Sequence, residues 1–160
     1  MSDLELSMLP PFCQVWGRHD EAGTDAWVAK LKITNIHHVC KGLNHVNHAV
    51  ISADNEKKLG NAQAGIGEFT YVIEHKNNES FPLKAFVLIN RAKLYAVQGD
   101  NDKAIGDFKA ALKENPKYDK VYYELSEFYK NNKEYDLARS VIKEGLNFVP
   151  NSKLLNKKND

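Results

Sequence analysis

Sulfur, long apolar runs and an excess of charge of either sign are what this chain has least of. Its 160 residues hold two cysteines, Cys13 and Cys40. Two widely spaced thiols with no Cys-x-x-Cys cannot complete a structural zinc site. They can be two buried reduced thiols, or one bridge that ties the proline-containing N-terminal segment to a helix and implies an oxidising compartment. No apolar run reaches the length of a membrane span, so membrane insertion is not expected. Met1 to Leu9 is short and carries Asp3 and Glu5, so it does not read as a signal sequence. The 22 basic and 21 acidic side chains leave a formal charge of +1, without the one-sided basic surplus of a general nucleic-acid binder. Catalytic motifs are missing too: there is no Gly-x-Ser-x-Gly, no phosphate loop, no His-Glu-x-x-His and no haem-attachment motif. Gly65-Ile66-Gly67 lies inside a helical pattern and opens no dinucleotide fold. The expectation is a non-enzyme with no catalytic residue and no cofactor.

What is present is a repeat. The apolar content of 42% is ordinary for one globular domain. Ala104, Phe108, Ala111 and Pro116 recur 34 positions later as Ala138, Ile142, Gly145 and Pro150. Leu88, Ala92 and Tyr95 recur at the same offset as Tyr122, Ser126 and Tyr129. A fixed period of this size with helical spacing inside it predicts stacked helix pairs. The small residues let paired helices approach closely. Pro116 and Pro150 stop the second helix of each pair, because proline lacks the amide donor. Gly99-Asp100-Asn101 and Lys130-Asn131-Asn132-Lys133 read as the turns within pairs.

Over these residues the chain resembles the tetratricopeptide repeat family. The family's order of large, small, aromatic, Ala, Phe, Ala and Pro is met from Ala85 by Leu88, Ala92, Tyr95, Ala104, Phe108, Ala111 and Pro116. The resemblance implies an all-α, right-handed superhelix of antiparallel helix hairpins, about three repeats long, with a concave face that binds a protein or peptide. It places repeats at 85–118 and 119–152 and a C-terminal cap at 153–160, where Ser152 can cap one more turn and Leu154 and Leu155 shield the last repeat.

The first half is less regular. Residues 1–23 read as a capping segment with a helical turn or two over Leu4, Leu6, Met8 and Leu9, an extended step at Pro10-Pro11 and a loop from Gly17 to Gly23. Residues 24–84 read as a divergent repeat. Residues 24–50 read as helix, in one piece or in two segments, capped by Thr24 or Asp25 and carrying the apolar face Ile33, Ile36, Val39, Cys40, Leu43, Val46 and Val50, with Cys40 as the small residue of the frame. A polar insertion at 51–61, a second helix from about Ala62 to His75 and an enlarged loop from Lys76 to Pro82 follow. Leu9-Pro10-Pro11-Phe12-Cys13 and His37-His38-Val39-Cys40-Lys41-Gly42-Leu43 also resemble a group of bacterial, often exported, repeat proteins. That likeness favours a periplasmic or exported protein, with the cytoplasm as the alternative, and favours the Cys13–Cys40 bridge. It implies no activity.

Binding residues follow from the repeat frame. It puts His37, His38 and His45 of the first repeat in the groove, together with Phe86, Ile89, Asn90, Lys93, Lys120, Tyr123 and Glu127. Ile89 occupies a position where a carboxylate-gripping branch of the family has Lys. Four histidines on one helix also suggest a face whose affinity follows pH, or a metal- or ligand-responsive module along His37 to His48. Only His45 and His48, at i and i+3, could share an ion, with a further ligand from elsewhere, such as Glu68 or His75. The leading reading is a scaffold or adapter that binds a protein or peptide. Self-association is a third reading.

Overall fold

The computed structural model describes residues 1–75 and 81–159. All regular structure among them is helical, in ten helices: α1 (Asp3–Ser7), α2 (Pro11–Gly17), α3 (Glu21–Leu31), α4 (Ile36–Ile51), α5 (Asn55–Glu74), α6 (Lys84–Gln98), α7 (Asn101–Glu114), α8 (Asp119–Asn131), α9 (Tyr135–Phe148) and α10 (Lys153–Asn159). α4–α5, α6–α7 and α8–α9 are antiparallel hairpins, and α5 packs on α6 to join the first two. α4, α6, α8 and α10 touch in series along one side.

Local chemistry explains the boundaries. Gly99 ends α6 with φ 79°, a left-handed conformation that glycine adopts without strain. Asp100 then caps α7 by accepting from the Lys103 amide at 3.3 Å. Ser152 caps α10, its hydroxyl accepting from the Leu155 amide at 3.2 Å and donating to Asp119 at 2.6 Å. α10 runs two turns and continues the array. Val87, Val121 and Leu155 stand at successive 34-residue offsets and are all fully buried.

The first half departs from expectation at several points. Pro10 is extended, but Pro11 opens α2, as suits a residue with no amide to leave unpaired. The loop between α2 and α3 is therefore confined to Arg18–Asp20. Asp20, not Thr24 or Asp25, caps α3 through the Gly23 amide at 3.0 Å. Of the two readings of 24–50, the structure has the two-segment one: the helix breaks at Lys32, whose φ of 52° is left-handed. The polar insertion is a three-residue turn, 52–54, because Asp54 caps α5 and draws the polar run from Asn55 into its first turns. Ile33 to Val46 of the expected apolar face are buried, but Val50 is 64% exposed and Ala49 takes its place in the core. The enlarged loop lies, for 76–80, outside the described residues.

The repeat frame of this hairpin is also shifted. A Cβ on Gly42 would sit 2.6 Å from the Phe69 ring, so Gly42 is the small residue at the crossing with α5, two positions beyond Cys40. Gly145 plays a similar part against Tyr122 and Leu155, each 2.7 Å from such a Cβ. From Gly42 to Phe69 is 27 residues, whereas Ala92 to Phe108 is 16. The extra 11 lengthen α4 and α5 beyond their counterparts, so the tip of this hairpin overhangs the array by roughly 8 Å.

In the corrected frame the groove-facing positions of α4 are Ile36, Val39, Cys40, Leu43, Val46 and Asn47. All but Asn47 belong to the core. The N-terminal arm, α1 to α3, contributes Leu6, Leu9, Phe12, Cys13 and Leu31 to the same core. A Cys13–Cys40 disulfide joins arm and hairpin, and both cysteines are fully buried. Glu5 meets His48 at 2.7 Å, and Trp16 packs on His37 with 6.3 Å between ring centroids.

A buried ion pair within the second hairpin also reaches the first. Arg91 on α6 donates two bonds to Asp107 on α7, at 2.7 and 2.8 Å, and one to the Thr70 hydroxyl on α5 at 2.9 Å. Burial works to lower the Arg91 pKa, but its bonds and charge attraction to Asp107 raise it above the ordinary value.

Candidate functional site

With its first section closed by the arm, the open part of the groove lies between α4–α5 and α8. A cleft of about 420 Å³ is present there. Val50 and Lys58 of the overhanging tip form one wall, and Glu124, Glu127, Asn131 and Asn132 the other. Lys93, Ala96 and Val97 of α6, with Phe108 and Phe128, line the space between. Apolar side chains thus lie between charged rims.

The charges are held in place. Lys93 bonds Glu124 at 3.5 Å, across from α6 to α8. Glu127 accepts from Lys130 at 3.2 Å and from Lys158 of α10 at 2.8 Å. The bond from Lys158, and then that from Lys130, holds the Glu127 carboxyl below the usual range against the opposing effect of burial. Lys158 also lies 5.1 Å over the Tyr123 ring, so α10 forms the distal end of the groove.

The structure places the sequence-derived candidates unevenly. Lys93 and Glu127 line the cleft. Tyr123 is half-buried beside it under Lys158, Lys120 is exposed, and Phe86 packs partly against the first core. Ile89 and Asn90 are 1% and 8% exposed and offer no surface for contact. The Asn90 amide donates to the Phe86 carbonyl at 2.8 Å instead.

His37, His38 and His45 do not line the groove, because the shifted frame turns them elsewhere. His38 bonds Glu68 on α5, and His45 bonds Asn61 on α5 at 2.9 Å. His37 stacks between Trp16 and His38. Burial first, then the His38 and Lys41 charges, lowers its pKa, with Glu68 opposing. His45 and His48 point to different partners, Asn61 and Glu5, so they do not converge on an ion. Among the described residues no three His, Cys, Asp or Glu side chains are grouped to hold a metal.

Sequence reasoning missed Val50, Lys58, Ala96, Val97, Glu124 and Asn131. The last four sit at groove positions of the two regular repeats, and the frame that pointed to Lys93 and Glu127 could have found them. Val50 and Lys58 reach the cleft only because the first hairpin overhangs, which no local pattern signals.

Residues 97–157 match the tetratricopeptide repeat family. The match takes in the second helix of one hairpin, all of the next and most of α10. No curated protein matches the chain. Helical-hairpin repeats of this family mediate protein–protein contacts in general, and no helix among the described residues is long and apolar enough to cross a membrane.

Proposed function

We propose that the protein is a non-catalytic adapter that holds an extended segment of a partner protein in the cleft between the overhanging tip and α8. The observation that carries this reading is the arrangement of the cleft: the half-buried Ala96 and Val97, backed by the buried Phe108 and Phe128, lie between Lys58 on one side and Glu124 and Glu127 on the other, with Lys93 paired to Glu124. Such a site accepts an apolar anchor flanked by charges of opposite sign, the anchor carrying most of the affinity. Tyr123 and Lys120 would meet the segment where it leaves the cleft. The buried Cys13–Cys40 bridge favours an oxidising compartment and hence an exported protein.

Display of random peptides on the folded protein tests the binding role. Selected peptides should lose tenfold or more in affinity, about 1.4 kcal/mol, for Val97→Glu and for Glu127→Lys, with helix content unchanged. Peptides that bind both variants as well as the parent would sink this assignment. For the compartment, thiol alkylation of protein from its native host should find no free thiol, even after unfolding. Two free thiols appearing on unfolding would argue for the cytoplasm.

A further inference from the structure

Charge is spread unevenly along the groove. Past the rim made by Glu124 and Glu127 lie the remaining groove positions of α8 and then α10. Together these two helices carry Lys120, Lys130, Lys153, Lys157 and Lys158 against Asp119, Glu124 and Glu127, five cations to three anions. All three carboxylates are engaged. Glu124 holds Lys93, Glu127 holds Lys130 and Lys158, and Asp119 accepts from the Ser152 hydroxyl at 2.6 Å. Lys120, Lys153 and Lys157 are exposed and form no ion pair among the described residues. Two of them flank an aromatic ring. Lys120 stands one turn before Tyr123 on α8, and the 34-residue register sets Lys157 level with Tyr123. Lys158 lies over the same ring at 5.1 Å.

The other end of the groove has the opposite sign. Asp3 and Glu5 of α1, with Asp54 and Glu56 at the tip of the first hairpin, outnumber Lys57 and Lys58 there.

Building on the adapter reading, we propose that the bound segment is acidic beyond its apolar anchor, with Asp or Glu side chains laid across Tyr123 between Lys120 and Lys157. Charge complementarity selects this occupant. Carboxylates on one side of the anchor are attracted at α8 and α10 and repelled near α1, so they also fix which way the segment lies. A uniform polyanion such as a nucleic-acid strand would meet repulsion at the acidic tip. The carboxylates are those of side chains, because the position that would grip a chain end holds the buried Ile89.

Random-peptide display on the full oxidised chain, with every peptide fused so that its C-terminus is blocked, tests the proposal. Selected sequences should share an apolar anchor with Asp and Glu enriched on one side of it. Selection on Lys120→Glu with Lys157→Glu in one chain should keep the anchor and lose the acids. Both lysines are exposed, so the circular dichroism spectrum should not change. A synthetic acidic winner with an amidated C-terminus should bind roughly fivefold more weakly to either single variant at low salt. That difference should disappear near 1 M salt, where screening acts within about 3 Å. An anchor without acids overturns the proposal, as does acid enrichment indifferent to the two lysines, or a winner that binds only with a free terminal carboxylate. Tighter binding of a single-stranded oligonucleotide, or of phosphatidylserine vesicles, with the same dependence on Lys120 and Lys157 would give the face to phosphate instead. Peptides that keep the anchor and its dependence on Val97 but show no acids leave the adapter reading intact while removing this one. A display that enriches no sequence removes both.

Discussion

Arg91 and Asp107 are the least replaceable polar pair in the described fold. Both are largely buried, and their paired bonds join α6 to α7 while Thr70 ties the same guanidinium to α5. Asp107→Ala should cost about 3 kcal/mol or more, because it strands a buried cation. Arg91→Met with Asp107→Leu should recover most of that loss, since an apolar pair of similar volume needs no desolvation. Urea denaturation of the three proteins decides it, and a double variant no more stable than Asp107→Ala would show the pair to be worth more than its packing. The pair was not legible in the sequence, where residues 16 apart on two different helices look like ordinary surface charges. Gly42 shows the opposite kind of failure. The small residue was sought and found two positions early, at Cys40, because several small or apolar residues compete within one turn. That slip turned His37, His38 and His45 into groove residues, since two positions rotate a helix by about 200°.

At the scale of elements, the N-terminal arm is the part whose hold on the body depends on conditions. A bridge spanning 27 residues is worth about 3.5 kcal/mol in the chain-entropy model. Two groups of the arm and its seat also respond to acid, Glu5 chiefly through its bonds to Ser2 within α1 and His37 through its burial. The backbone amide of Ser2, then its hydroxyl and His48, lower the Glu5 pKa from 4.5 to about 2. Its contribution is therefore complete above 4.5 and is lost as pH falls towards 2. The His37 pKa is lowered from 6.5, so the folded arm favours the neutral ring and that contribution fades as pH drops below 6.5. Amide exchange in α1 and α2 should accordingly rise on acidification while α8 and α9 stay protected. Glu5→Gln should remove the more acidic of the two steps, and arm exchange that is flat from neutrality to strong acid would contradict both assignments. Of the arm's helices α2 escaped the sequence reading, because it is short and its order comes from the core it shares with α4 rather than from local propensity.

Across the whole molecule there are two cores, one under the arm and first hairpin and one through the later repeats. Trp16 and Trp27 both pack on the first. Repeat arrays unfold through neighbour contacts rather than as one unit, and only the first core is stapled. Urea curves from tryptophan fluorescence should therefore have a higher midpoint than those from circular dichroism, which sees every helix. Coincident curves would mean that the α5–α6 contact couples the cores fully. The later repeats were legible down to their turns, because a 34-residue period fixes spacing and residue type together. The cleft was legible in part, through Lys93 and Glu127, while its outer wall depended on a hairpin length that no period describes. The bridge has a consequence in time. Cys13 and Cys40 are both sealed from water in the finished fold, so an oxidant can reach them only while the arm is still off the body. The covalent link is thus made on an unfinished chain, and a protein that closed first would keep its thiols beyond the reach of repair.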